Sequence, residues 1–360
     1  MSNQSEETSQ SVILDFLKDI KNLVVRKQSY SDAAILRELE KIFVSTETFK
    51  DETLMSFISI IKTLKAKHMD NTEKQKPLNY SETKHALSNW LLDYAKNAKM
   101  EGYVIGVSGG IDSAVCSTLC AMTGLSLIVI RMSIHQAPDQ ADRGAKHIDW
   151  LKANFPNVKS LDIDLTDSYD KEIESLQKSG AFDGISDEQI FLASANTRSR
   201  LRMVTLYGVG GAHKLLVCGT GNKVEDYGIG FFTKFGDGGV DLSPIGELTK
   251  TEVYELAAEM GVIQEILDAR PTDGLWTDGR TDEDQIGATY PELEWAMAYC
   301  DTQKGYDLDL FVTTGMKEFV DDSLTERQRE VVKIYWKRHK ANMHKMAMPP
   351  ICSVSNLRKA

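Results

Sequence analysis

At 360 residues, the chain is long enough to bury a full α/β core and keep material for a second segment. Its 42 Lys and Arg against 53 Asp and Glu give a formal charge of −11, so no global field favours nucleic acid. A polyanionic ligand would therefore need a local cluster of cations. Five cysteines, Cys116, Cys120, Cys218, Cys300 and Cys352, include no Cys-x-x-Cys pair, which suits a reduced cytoplasmic protein and not a disulfide or zinc framework.

In chain order, Ser2–Gln10 is polar and lacks the apolar core of a signal peptide. Residues 12–27, 31–44 and 51–67 repeat apolar side chains at three- and four-residue spacing, as in Val12, Phe16 and Ile20, and predict amphipathic helices. A polar stretch from Lys67 to Asn79 closes this part as a linker. The expected domains are thus an N-terminal helical extension, 1–78, and a main domain, 79–360. A helix from Ser81 to Ala95 leads to a strand at 103–107. Further strands are expected at 125–131, 159–164 and 215–219, with helices at 113–123, 140–154 and 187–207. Residues 113–130 carry no charge, but Gly124 divides them into a helix and a strand, so no membrane span is expected. Strands alternating with helices predict a doubly wound parallel sheet, with ligands at the carboxyl ends of its strands.

The most informative run is Val104-Ile105-Gly106-Val107-Ser108-Gly109-Gly110-Ile111-Asp112-Ser113. Strand, glycine turn and helix present backbone N–H groups and a helix N-terminus to an anion. No Gly-Lys-Ser/Thr follows, so the loop is not a Walker A motif. It resembles the pyrophosphate loop of the N-type ATP pyrophosphatases, which cleave ATP to AMP and pyrophosphate. A second informative stretch, Gly230-Phe231-Phe232-Thr233-Lys234-Phe235-Gly236-Asp237-Gly238-Gly239-Val240-Asp241, has no helical or strand period and reads as an ordered functional loop. Upstream, Asn196-Thr197-Arg198-Ser199-Arg200-Leu201-Arg202-Met203 places arginines at alternate positions; Arg198 and Arg202 share a helix face and Arg200 points elsewhere.

Together these segments resemble the NAD synthetase family, across residues 80–300 and again at His344-Lys345 and Pro349-Pro350. The resemblance implies an adenine nucleotide alpha hydrolase-like fold and the ATP-dependent amidation of deamido-NAD by ammonia through an acyl adenylate. By motif position, Gly106, Val107, Ser108, Gly109, Gly110, Ile111, Asp112 and Ser113 would hold ATP phosphate. Arg131, Thr220, Lys250 and Thr272 would complete the ATP contacts. Asp112 and Glu225 would bind Mg2+, and Arg200, Lys234, Asp241, His344 and Lys345 would hold deamido-NAD. Asp112, Glu225, Lys250 and Asp241 form the expected catalytic set, with Asp241 steering or deprotonating ammonium. No histidine pair has metal-site spacing beside a carboxylate, which argues against a transition metal.

The chain departs from the family pattern in two places. Many members carry Asp-His after the Gly-Thr, where this chain has Gly221-Asn222, and the path from Glu225 to Phe231 is one residue longer. Residues 1–78 are too short for the nitrilase-like domain of glutamine-dependent members, so the resemblance implies free ammonia, or ammonia from a separate glutaminase subunit. It also implies a homodimer. The connections at 132–142 and 268–287 lack periodicity and are expected to act as lids. The competing readings are a GMP synthetase-like or tRNA-modifying ATP pyrophosphatase and a nucleotide sensor without chemistry.

Overall fold

A computed structural model describes residues 77–135, 138–271, 281–302 and 323–354, together with Leu308 and Val312. The helices expected at 12–27, 31–44 and 51–67 lie outside the described residues, as does Thr272. The chain divides into two units, and the larger, Lys76–Ala298 with Ser323–Ala360, carries the sheet.

In this unit α1 (Tyr80–Asn97) starts where the Asn79 side chain accepts from the Glu82 N–H, the usual remedy for an orphan donor at a helix start. Then follow β1 (Gly102–Gly106), α2 (Ile111–Met122), β2 (Ser126–Ser133), α3 (Pro138–Asn154) and β3 (Val158–Asp164). Next come α4 (Thr166–Lys178), α5 (Asp187–His213) and β4 (Leu215–Val217). The strands form one parallel sheet in the order β3-β2-β1-β4. The doubly wound parallel sheet expected from the βαβ pattern is therefore present.

Alternate residues feed the two faces of this sheet. Tyr103, Ile105, Leu127 and Val129 pack with Leu91 of α1 and Val115 and Leu119 of α2. Val104, Ile128, Ile130, Met132 and Val217 pack on the other side with Tyr169 of α4 and Leu201 of α5. Burial on both faces explains why β1 and β2 read as continuous apolar runs and not as alternating ones. The order also fixes where a ligand belongs. The chain builds β1, β2 and β3 in one direction and then returns to place β4 on the far side of β1, so the switch point lies between β1 and β4.

Several boundaries differ from expectation. Helix α5 runs to His213 instead of 207, ending where Lys214 takes a left-handed conformation. No element was expected at α4, although Tyr169, Ile173 and Leu176 fall at helical spacing. Strand β2 extends to Ser133 and α3 begins at Pro138, so little of 132–142 is left as a connection. Past β4, Lys223–Ile229 forms a π-helical turn. A π turn takes up an extra residue relative to an α turn, which accommodates the longer path from Glu225 to Phe231. The remaining helices are α6 (Lys250–Glu259), α7 (Gln264–Leu267), α8 (Asp282–Ile286), α9 (Tyr290–Thr302) and α10 (Glu326–Asn342). No helix among the described residues is long and apolar enough to cross a membrane.

Candidate active site

Two loops flank the switch point. The first leaves β1 and enters α2 at Gly110, which has no side-chain cap, so the helix keeps N–H groups for an incoming anion. Gly109 takes φ +85°, a conformation that favours glycine. Hydroxyls close the loop on itself: the Ser108 and Ser113 oxygens lie 3.1 Å apart, Gly110 N–H donates to Ser108, and Ser113 donates to the Gly110 carbonyl. The second loop leaves β4 and enters the π turn at Asn222. This buried side chain accepts from the Val224 and Glu225 N–H groups, both at 3.1 Å, and donates to Asp112 Oδ1 at 3.1 Å. Asn222 thus ties one loop to the other. Beside it, a side chain on Gly221 would collide with the Asp226 carboxylate, so the glycine in place of the commoner aspartate leaves room for an acid supplied from five residues on.

Between the loops stands Lys250, the first residue of α6 and only 3% exposed. Its ammonium donates to Asp112 Oδ2 at 2.6 Å and to Glu225 Oε1 at 2.9 Å. A buried cation at the positive end of a helix is unfavourable by itself, and the two carboxylates offset that cost. Burial opposes the charge on Lys250, but Asp112 and Glu225 outweigh it and hold its pKa above the ordinary lysine value. Burial pushes the Glu225 carboxyl up, and the Lys250 charge with hydrogen bonds from Tyr290, Lys250 and Asn222 overcomes this and leaves it lowered. Asp112 is raised, by burial first, with Lys250 opposing and the Glu225 charge adding to the rise. Two carboxylates share one ammonium, which leaves excess negative charge in a confined space.

The second part of the site forms around 230–239. Asp237 accepts from Ser199 at 2.6 Å and from the Thr233 N–H at 3.0 Å, and Thr233 donates to Asn196 at 2.6 Å, so the loop is fastened to α5. Arg200 Nε donates to the Lys234 carbonyl at 3.3 Å, and Lys234 Nζ donates to the His344 carbonyl at 2.6 Å. Lys345 Nζ reaches the carbonyls of Gly230 and Phe232, both at 2.8 Å, and lies 5.4 Å from the Phe232 ring centroid.

The family model described as NAD synthase matches residues 83–349. The chain belongs to the NAD synthase family. An NH(3)-dependent NAD(+) synthetase from Carboxydothermus hydrogenoformans is 41% identical over 219 residues, covering 60% of this chain and 85% of that protein. A solved NMN synthetase from Francisella tularensis has a TM-score of 0.61 and 30% identity, over 77% of this chain and 99% of that one. An NH3-dependent NAD synthetase from Campylobacter jejuni, at 21% identity, TM-score 0.57, and 77% and 100% coverage, shares the fold.

Of the residues that the NAD synthase motifs pointed to, the structure brings Asp112, Glu225 and Lys250 into one cluster. It gathers Arg200, Lys234, His344 and Lys345 around the 230–239 loop. Asp241 is engaged elsewhere: its carboxylate accepts from the Val217 N–H at 2.8 Å and from Tyr207 at 3.1 Å. Its partners come from β4 and α5, and neither belongs to the Lys250 cluster. Arg131 pairs with Asp162 on the neighbouring strand. Thr220 is half-buried, next to Gly221 in the second loop. Two residues with central contacts went unmarked by sequence reasoning. Asn222 carried a signal, since an asparagine followed by Glu225 fits a cap. Tyr290 carried none, because an aromatic at a helix start reads as core.

Proposed function

We propose that the chain converts deamido-NAD to NAD with ATP and ammonia, releasing AMP and pyrophosphate. The buried Asp112–Lys250–Glu225 cluster beside the uncapped N-terminus of α2 carries this reading, and family membership supports it. The nicotinate carboxylate attacks the α-phosphorus of ATP, pyrophosphate departs, and ammonia then attacks the acyl adenylate and expels AMP. Gly106–Ser113 cradles the departing pyrophosphate with backbone N–H groups, and Lys250 neutralises charge developing on the transferred group. Arg131, Thr220 and Thr272 complete the ATP contacts by motif position, and Arg200, Lys234, His344 and Lys345 hold deamido-NAD.

Mg2+ fits the donor set. Asp112 and Glu225 are hard oxygen donors brought close by a shared ammonium, with excess negative charge between them. Among the described residues no three ligating side chains converge, which suits a cation that takes its other ligands from water and phosphate. Bound there, Mg2+ would supply charge neutralisation on the triphosphate.

Asp241, anchored by Val217 and Tyr207, is fixed in place to hold substrate or draw ammonium. We propose that residues 1–78 are set apart from the synthetase domain at 79–360, that the assembly is a homodimer, and that the compartment is the cytoplasm. Ammonia arrives free or from a glutaminase partner.

The test is NAD formation from deamido-NAD, ATP and Mg2+, with ammonium and glutamine compared. Nicotinic acid mononucleotide runs as a second acceptor, because the solved neighbour at 30% identity is named for the mononucleotide product. Ammonium-dependent NAD formation with stoichiometric AMP is expected. No amide from either acid under any donor would overturn the proposal, and a strong preference for the mononucleotide would move the substrate to the smaller acid.

A further inference from the structure

Tyr290 is 4% exposed at the start of α9, and its phenol meets the charged cluster. The hydroxyl donates to Glu225 Oε1 at 2.5 Å and stands 3.3 Å from Asp282 Oδ2. One phenolic proton serves one acceptor, and the short charge-assisted contact to Glu225 takes it. Lys250 Nζ donates to the same Oε1 and lies 5.0 Å from the Tyr290 ring centroid. With Oε1 holding two donors, a cation approaching Glu225 has Oε2 to bind.

The phenol is held in place from behind. Tyr290 N–H donates to Glu283 Oε1 at 2.9 Å, and Thr281 and Asp284 close a capping box on α8. Asp282 N–H donates to the Pro271 carbonyl at 3.2 Å, and Arg338 of α10 donates to the Gln285 carbonyl at 2.8 Å. These bonds fix the backbone that carries Tyr290 without help from Glu225. The glutamate, by contrast, sits on a π turn, a less common geometry whose side-chain direction needs support. The brace therefore acts from Tyr290 upon Glu225.

We propose that Tyr290 is a positioning residue that locks Glu225 through Oε1 and so presents Oε2 to the cation accompanying ATP. This rests on the reading of Glu225 as a metal ligand. Outer hydrogen bonds of this kind typically govern about 10- to 100-fold in metal affinity.

The test is Mn2+ binding, followed by electron paramagnetic resonance with a non-hydrolysable ATP analogue, on the full chain. Tyr290→Phe keeps the ring and should weaken Mn2+ binding about tenfold, with KM for ammonium changed by less than about twofold. In a Glu225→Gln background the same change should add less than about twofold, because the second carboxylate oxygen that Tyr290 presents to the cation is gone. Should Tyr290→Phe not fold, Glu283→Ala removes the acceptor of the Tyr290 N–H, loosens only the brace and should weaken Mn2+ about two- to threefold. Wild-type affinity in the folded Tyr290 variant, or in Glu283→Ala where that variant does not fold, overturns the inference and leaves the metal site standing. Wild-type affinity in Glu225→Gln overturns the metal site itself.

Discussion

Lys250 and Lys345 are both lysines assigned to anionic ligands, yet the protein uses them differently before any ligand arrives. Lys250 is enclosed by two carboxylates, with its side chain 4% exposed, one from the first turn of α2 and the other from the π turn after β4. Lys345 donates to two backbone carbonyls and binds the C-terminal segment to the 230–239 loop. A carboxylate pair holds an ammonium by full charges, whereas carbonyls hold it by dipoles, so only the second lysine can be drawn off cheaply by an arriving anion. On the proposed assignment, the ATP side is thus preorganised around fixed charge, and the substrate side is closed by contacts that an anionic substrate can replace.

Removing the fixed charge should break this contrast most severely. In Lys250→Met, two buried carboxylates face each other without their cation. Losing one partner of a buried ion pair costs about 3–5 kcal/mol, which urea denaturation would detect. The turnover number should fall by about a thousandfold, as when a preorganised charge-stabilising donor is lost. A variant with near-normal turnover would show that Lys250 is structural and that the ATP side draws its charge stabilisation from elsewhere.

This cluster also marks how far sequence reaches. The glycine loop was legible because strand, turn and helix lie within a dozen consecutive residues, and the chemistry of φ and free N–H groups is local. Asp112 and Glu225 were legible only through motif resemblance. Lys250 alone reads as an ordinary first-turn lysine; its partners lie 138 and 25 residues away, and no local period encodes that meeting. Tyr290 was illegible for the same reason, since its phenol is aimed by a brace built from α8 and α10. The contacts of Asp241 were illegible too: its carboxylate accepts from the Val217 N–H at the end of β4, a choice that depends on which N–H the folded strand leaves open. The central strands suffered less, because burial on both faces imprints itself on nearly every residue of β1 and β2. The missed α4 has only Tyr169 buried, so its pattern is faint.

A second test sharpens the comparison through pH, because the ATP side also contains a buried neutral imidazole. His147 of α3 is 0% exposed, and its Nε2 lies 3.0 Å from the Ser117 hydroxyl on α2. Burial lowers its pKa from 6.5 to about 4. Between those values the unfolded chain takes up a proton that the folded chain refuses, so this contribution to stability is intact above pH 6.5. It is lost as pH falls towards 4, up to about 3 kcal/mol in all. In His147→Gln, which keeps a polar group near Ser117, the plot of unfolding free energy against pH should lose as much as one proton of slope across that window. An unchanged slope would place the acid sensitivity in the carboxylates instead.

The smallest effect belongs to the contacts a substrate can replace. Lys345→Ala removes two hydrogen bonds from a charged donor to half-buried carbonyls, but the loop keeps its ties through Asp237, Ser199 and Thr233. The fold should therefore persist with little change in unfolding midpoint. If Lys345 holds deamido-NAD as proposed, it gives up carbonyl bonds to gain substrate bonds, and its net contribution to binding is a difference, worth about tenfold in KM for deamido-NAD. On a role confined to binding, turnover should change little. A fall in turnover equal to the rise in KM would mean that Lys345 acts in the transition state, and the division of the site into a fixed-charge half and an exchangeable half would have to be redrawn.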